Sequence, residues 1–142
     1  YLGATLRALI DNEVGTLACT LHDGAESRLV EIETRSLAIC NGQYFGGGMQ
    51  VAPMASPDDG RFDIVSLGAQ PKLSFVVSSL AIYKGTHVKN PDVKIFACDR
   101  IEVRLVNDEL RDRFPLDVDG EPLGFLPIDV RVVPRAIEVF TG

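Results

Sequence analysis

Several features that would assign a protein to a function class at once are missing from this sequence. It contains no tryptophan, only two histidines and only three cysteines, Cys19, Cys40 and Cys98, and no pair of cysteines has C-x-x-C spacing. A zinc site is therefore not expected, and an odd number of cysteines among apolar neighbours is typical of reduced thiols in a protein core. We expect a cytoplasmic protein whose fold depends on a hydrophobic core.

Long apolar runs and an excess of positive charge are also absent. No stretch reaches the ~18 apolar residues of a transmembrane helix, and no signal-peptide pattern is present. The formal net charge of −6 argues against nucleic acid as the main partner, because phosphate backbones are bound by clustered positive charge. It also gives no general attraction to anionic lipid heads, so membrane contact is expected to be transient, peripheral and mediated by a local patch.

What the sequence does contain is a sufficient supply of apolar residues for one domain. Hydrophobic residues make up 46% of its 142 residues. This length and balance are typical of a single domain that buries its own core. We therefore predict one domain over residues 1–142. Its start at Tyr1, without a methionine, is what a domain cut from a longer protein would show.

Short alternating segments and turn dipeptides predict a mainly β fold. Apolar residues at helical spacing favour helices over residues 1–12 and 72–84. Alternating segments between Asp-Gly and Asn-Gly turns predict strands within residues 16–22, 28–40, 61–67, 93–106, 116–118, 128–133 and 136–140. The predicted fold is an antiparallel β-sandwich or partly closed barrel with two short helices.

Two acidic turns carry groups capable of chemistry, and each also has an ordinary structural explanation. The turn at residues 119–120 is a hairpin signal that can project Glu121 into a cleft, where a carboxylate can accept a proton. The same residues also suit a solvated hairpin. The turn at residues 58–60 carries two further carboxylates, and an acidic β-turn is its ordinary explanation.

Glycine-rich and basic segments are equally ambiguous from the residues alone. A run of three glycines permits the close approach of phosphate groups, and it also suits a bulge or a sheet corner. A local basic cluster can face anionic head groups, although a solvated loop explains it as well. The glycines are Gly46, Gly47 and Gly48, and the basic residues are Lys84, His87, Lys89 and Lys94.

Four segments, in this order and at this spacing, resemble one family. NGQYFGGGMQVAP, ASPDDGRFDIV, GTHVKNPDVKIFACDRIEV and VDGEPLG with the later RVVPRAIEVF are similar to the C-terminal half of the diacylglycerol kinase, sphingosine kinase and bacterial YegS-like lipid kinase family. Members of this family hold the nucleotide on an N-terminal α/β domain with a GGDGT-type motif. Neither that motif nor G-x-x-x-x-G-K-S/T occurs here. The N-terminal ATP-binding domain is therefore expected to be absent from this chain.

The resemblance implies roles for individual residues. Glu121, the last residue of D-G-E, would be the general base. Asp59 would bind a structural Mg²⁺ through its side chain, and Ser56 and Arg61 would contribute main-chain carbonyls, although an arginine stands where the family more often has an apolar residue. The implied function is to bind a lipid hydroxyl, on a diacylglycerol-like or sphingoid-like molecule, and to supply the base. ATP would be a co-substrate held mainly by the N-terminal domain, and this chain alone would be inactive.

Other functions stay open at this stage. The domain can be a non-catalytic lipid-binding or interaction module, a homodimer included. It can also be a relative of NAD kinase, which shares a distant architecture, although the D-G-E and D-D-G segments fit the lipid kinases better. For a kinase, the expected partners are a lipid substrate, the protein's own nucleotide-binding domain and, transiently, a membrane surface.

Overall fold

The computed structural model describes residues 13–71 and 80–138. The helix predicted over residues 1–12 lies outside these ranges, as do residues 72–79 of the second predicted helix and residues 139–140 of the strand predicted over 136–140. Residues 136–138 are described and do not form a strand, so that prediction is wrong there. The described end of that second helix is helical, at residues 80–82.

Nine strands and two short 3₁₀ helices make up the described fold. All strand pairings are antiparallel, so the predicted mainly β class is confirmed. The strands are β1 (Gly15–Asp23), β2 (Glu26–Thr34), β3 (Leu37–Cys40), β4 (Phe62–Ser66), β5 (Lys94–Cys98), β6 (Arg100–Leu105), β7 (Pro115–Val118), β8 (Glu121–Phe125) and β9 (Ile128–Arg131), and the 3₁₀ helices are η1 (Thr86–Lys89) and η2 (Asp108–Arg113).

The larger sheet has four strands in the order β2-β1-β6-β9. Successive side chains of a strand point to opposite faces, and Leu17, Cys19 and Leu21 of β1 are all buried on one face. Ile101 and Val103 of β6 lie directly opposite Leu21 and Cys19 in the strand register, and they join the same core. One face of this sheet therefore forms one wall of the main core.

The smaller sheet, in the order β3-β4-β5, is covered on both faces. Ile64 of β4 packs into the main core against the four-stranded sheet. Its neighbour Val65 points the other way, into a second core formed with the β3–β4 loop and with Ile82. The result is a three-layer arrangement, because the small sheet lies between two hydrophobic clusters.

Strands β7 and β8 form a separate two-stranded ribbon beyond η2. No residue of η2 is buried, but the next residue, Phe114, belongs to the main core. A Cβ atom at Gly15 would lie 2.5 Å from the Cε2 atom of Phe114, so only glycine leaves room for the ring. Phe114 therefore fastens the ribbon to the body of the domain, because an isolated two-stranded ribbon is marginal in water.

Two strand predictions are wrong in extent, because the chain changes sheets inside each of them. The predicted strand over 28–40 divides into β2 and β3 at Arg35, whose Nε donates a hydrogen bond to the carbonyl of Gln70. The predicted strand over 93–106 divides into β5 and β6 at Asp99, whose carboxylate accepts from the backbone N–H of Gly24. Both corners are stabilised by hydrogen bonds between residues that are far apart in the sequence. The local alternation of apolar and polar residues cannot predict such bonds.

Candidate active site and cation-binding turn

Glu121 is the first residue of β8, directly after the tight turn of the ribbon. Both central turn residues have positive φ, 53° at Asp119 and 91° at Gly120, which is the pattern of a two-residue type I′ hairpin. The carboxylate of Asp117 closes the turn by accepting from the N–H of Gly120 at 2.8 Å. The predicted turn is therefore present, and Glu121 is exposed beside it.

The ribbon places Glu121 on the same face as a residue that lines an apolar groove. Glu121 lies directly opposite Val118 in the antiparallel pair, and opposite residues share a face. Val118 follows Leu116 by two positions, so these two also share a face. Leu116 lines the groove. Glu121 itself does not line the groove, and a register shift between Leu116 and Asp117 lies between it and Leu116 along the ribbon.

The groove runs between the two sheets and opens beside the ribbon. It encloses about 90 Å³, and its walls come from both sheets, from the ribbon and from the β8–β9 connection. Only Arg35 and Ser36 contribute charged or hydroxyl side chains, at the point where the chain passes between the sheets. The other lining residues are Leu17, Leu37, Ile39, Val103, Phe114, Pro115, Leu116, Leu126 and Ile128. The lining has the chemistry of a site for a hydrocarbon chain.

The Asp-Asp-Gly turn brings Ser56, Asp59 and Arg61 together, and their role as Mg²⁺ ligands stays a prediction. The Ser56 hydroxyl donates to the carboxylate of Asp58 at 2.6 Å, and the Asp59 N–H approaches the Ser56 carbonyl at 3.4 Å. The N–H of Arg61 donates to Oδ1 of Asp59 at 2.9 Å. This last bond holds the Asp59 carboxylate above the beginning of β4.

The donor set of this turn fits a hard divalent cation. The described residues contain no group of three His, Cys, Asp or Glu side chains placed to hold a metal, so a cation here would depend partly on main-chain carbonyls. The guanidinium of Arg61 does not form an ion pair with Asp59, because its Nη2 bonds to Asp23 at 2.7 Å and contacts the carbonyl of Ala97 at 3.4 Å. Carboxylate and carbonyl oxygens therefore remain the local donors, which suits Mg²⁺.

Asp63 of β4 is a further acidic residue at this turn, and sequence reasoning missed it. It is only 9% exposed, and its strand partners are Cys40 and Ala97. Burial and, to a lesser degree, the Asp59 carboxylate raise the pKa of Asp63, and Arg61 offsets only part of this effect. The signal in the sequence was a charged residue in a strand whose other positions are mainly apolar.

The three glycines form a tight hairpin loop between β3 and β4. Phe45 and Met49 close it with two reciprocal backbone hydrogen bonds of 3.1 and 3.2 Å. Gly46, Gly47 and Gly48 have φ values of 45°, 61° and 90°, a left-handed conformation that side chains rarely adopt. The left-handed backbone of this loop therefore explains why these three positions are glycine. Their predicted role in binding a cofactor stays a prediction.

Among the described residues, no hydrogen bond joins Glu121 to the other predicted groups. Within residues 13–71 and 80–138, Glu121 makes no hydrogen bond to the Asp-Asp-Gly turn or to the glycine loop.

The prediction that His87 belongs to a basic surface is wrong. His87 is buried, and its Nε2 lies 2.9 Å from the carbonyl of Val51. Burial lowers the pKa of His87.

Comparisons with known proteins identify the family and the fold. Residues 1–141 match the family described as the YegS C-terminal NAD kinase beta sandwich-like domain. The fold resembles a solved structure described as a "putative diacylglycerol kinase" from Bacillus anthracis, with a TM-score of 0.67 and 21% identity over 93% of this chain and 41% of that chain. The fold is therefore the beta sandwich-like fold of that family.

Curated relatives carry related names. "Putative lipid kinase YtlR" of Bacillus subtilis is 30% identical over 132 residues, which is 89% of this chain and 38% of that protein. "Probable lipid kinase YegS-like" of Shewanella frigidimarina is 32% identical over 101 residues, 71% of this chain and 31% of that protein. The chain belongs to the YegS-like lipid kinase family, and it spans less than half the length of these relatives.

No helix among the described residues has the length and apolar character needed to span a bilayer.

Proposed function

We propose that this chain is the substrate-binding and base-supplying domain of an ATP-dependent lipid kinase. The acceptor is the hydroxyl group of a diacylglycerol-like or sphingoid-like lipid. The observation that carries the proposal is the placement of Glu121, which follows a type I′ turn on the ribbon face that also bears the groove residue Leu116. Family membership supports the same conclusion.

In this proposal, the groove takes the end of a hydrocarbon chain. Nine of its eleven lining residues are apolar, and burial of methylene groups against them is favourable by ~0.8 kcal/mol each. Its volume of about 90 Å³ admits only a few carbon atoms, and the rest of the chain would extend outward. A lipid seated in this way has its polar head near the ribbon, on the side where Glu121 lies.

Glu121 then acts as general base. A carboxylate within hydrogen-bonding distance of the acceptor hydroxyl removes its proton as the oxygen attacks the terminal phosphoryl group of ATP. The exposed position of Glu121 leaves its oxygens available to a hydroxyl. ATP is held mainly by the N-terminal domain.

The Asp-Asp-Gly turn has a supporting role. Asp59 would hold Mg²⁺ through its side chain, with the carbonyls of Ser56 and Arg61. A bound cation would neutralise the acidic turn and fix the start of β4. The glycine loop, between Phe45 and Met49, offers exposed backbone to the nucleotide domain or to its phosphates.

The test is a lipid phosphorylation assay with radiolabelled ATP and Mg²⁺, on the full-length protein and on this chain. We expect transfer to a lipid hydroxyl by the full-length protein and none by the chain alone. Glu121→Gln in the full-length protein should lower turnover ~10²–10⁴-fold with unchanged thermal stability. Glu109→Gln, an exposed acid on η2, is the matched control and should retain full turnover.

The outcomes separate the candidate functions. Normal turnover in the Glu121→Gln variant would remove this residue from the mechanism. Lipid binding without any phosphoryl transfer, by the full-length protein as well as by the chain, would favour a non-catalytic lipid-binding module.

A further inference from the structure

The ribbon of β7 and β8 exposes several large apolar side chains that the proposed mechanism does not use. All five residues of β8 are exposed, and no residue of β7 is buried. Val118 is exposed to 44%, Leu123 to 64% and Phe125 to 43%. Several large exposed apolar groups on one short element are typical of a surface that a partner covers.

A β-bulge directs the most exposed of these side chains. In the ribbon register, Gly124 lies opposite Leu116 and Pro122 lies opposite Asp117, so Leu123 is an extra residue with no opposite partner. Gly124 has a φ of 116°, a backbone conformation that favours glycine. Bulges are frequent beside active sites, where they redirect a side chain, and this bulge lies on the strand that carries the proposed base.

The charge of the ribbon restricts what can cover it. Residues 115–125 contain Asp117, Asp119 and Glu121 and no lysine or arginine. An anionic membrane surface would repel this segment, and two ribbons packed on each other would bring their carboxylates together. A partner with an apolar pocket and a positive rim is complementary to it. A domain that holds the phosphates of ATP needs such positive charge.

We propose that Leu123 is the anchor through which the ribbon docks on the nucleotide-binding domain of the full-length kinase. This inference rests on the proposed function, because Glu121 can accept the proton of the attacking hydroxyl only if the ribbon faces the terminal phosphoryl group of ATP. The chain spans less than half the length of its relatives, which leaves a larger part of each relative to supply the pocket. Leu123 is then a positioning residue for the base.

Hydroxyl-radical footprinting of the full-length protein, read by mass spectrometry, tests the contact. Leu29 of β2 is the internal control, because it is exposed to 57% in this domain, and the two leucines should react at similar rates if nothing covers the ribbon. We expect Leu123 to be oxidised several-fold more slowly than Leu29. The difference should persist on dilution and should not require phosphatidylcholine vesicles.

Substitution of Leu123 in the full-length protein tests its effect on the reaction. Leu123→Ser should lower kcat at least ~10-fold, because a displacement of about 1 Å can cost ~10²-fold in rate. The KM for lipid should not change, since Leu123 does not line the groove. Leu123→Met keeps a similar apolar volume and should retain most of the turnover. Leu29→Ser is the matched control and should retain full turnover.

Equal oxidation of Leu123 and Leu29, or an unchanged kcat in Leu123→Ser, would overturn the inference. Protection that disappears on dilution would assign the ribbon to a contact with a second copy of the protein, and protection that appears only with vesicles would assign it to a membrane, so either result overturns the inference as well. If Leu123 is protected at every concentration but the full-length protein phosphorylates no lipid, the docking contact stands and the proposed reaction fails.

Discussion

At the residue scale, burial decides which potentially reactive side chains of this chain are unreactive. The three cysteines are free and buried, as the sequence predicted. Burial raises the pKa of Cys19 to about 11, of Cys40 to about 12 and of Cys98 to about 11. These thiols therefore stay protonated near neutral pH and are poor nucleophiles, whereas the exposed Glu121 is open to a substrate.

His87 gives a prediction about pH. Burial lowers the pKa of His87 below its ordinary value, so the unfolded chain takes up a proton at a higher pH than the folded chain does. The contribution of His87 to stability is therefore full above pH ~6.5 and declines as the pH falls toward its folded pKa. Relative to His87→Gln, the wild type should lose stability between pH 7.5 and pH 5.

Urea unfolding of both proteins at several pH values measures this difference. Glutamine retains a donor for the Val51 carbonyl, so the comparison mainly isolates the titrating ring. If the free energies of unfolding of wild type and variant differ by the same amount at every pH from 7.5 to 5, protonation of His87 is not coupled to folding.

At the element scale, the glycine loop shows how a turn can be dictated by backbone conformation. Gly48 has φ 90°, and a Cβ atom there would have nothing within 4 Å, so strain alone opposes a side chain. Gly48→Ala should lower the free energy of unfolding by about 1–2 kcal/mol. Gly42, which precedes this loop, also has open space around the position of a Cβ atom, but its φ is not positive. Gly42→Ala should therefore change the free energy of unfolding by less than about 1 kcal/mol.

Urea titrations followed by far-ultraviolet circular dichroism compare the two glycine variants, since the chain has no tryptophan. Equal stabilities for Gly48→Ala and Gly42→Ala would mean that the left-handed conformation is not needed. If Gly48→Ala in the full-length protein also raises the KM for ATP, the loop contacts the nucleotide as well.

Some strands and turns could be predicted from the sequence, and others could not. Strands β1, β4 and β7, with the turns at 58–60 and 119–120, follow from alternation and turn chemistry. Strand β8 was missed because Pro122 and Gly124 are unfavourable for strands, and a register shift accompanies them. The burial of Asp63 was equally hidden, since it depends on a loop and a second core that form only through distant contacts.

At the scale of the whole molecule, the groove exists only because both sheets and the ribbon pack together. Its walls come from β1, β3, β6, β7 and β9 and from the segments beside them, so no local pattern in the sequence encodes it. The ribbon that bears Glu121 is held to the body of the domain because Phe114 packs against Gly15. Motifs therefore predicted the candidate base, whereas the groove of the proposed lipid site depends on the packing of two sheets.

Leu116 tests whether the groove holds a hydrocarbon chain. Leu116→Trp should fill part of the groove, and excluding even two methylene groups at ~0.8 kcal/mol each should weaken binding roughly tenfold. Leu29→Trp is the matched control, because Leu29 is an exposed leucine on β2 that is not part of the groove lining. Binding of a fluorescent long-chain diacylglycerol analogue measures both. In the full-length protein, Leu116→Trp should raise the KM for lipid and leave the KM for ATP unchanged, and equal binding by the two variants would place the hydrocarbon chain elsewhere.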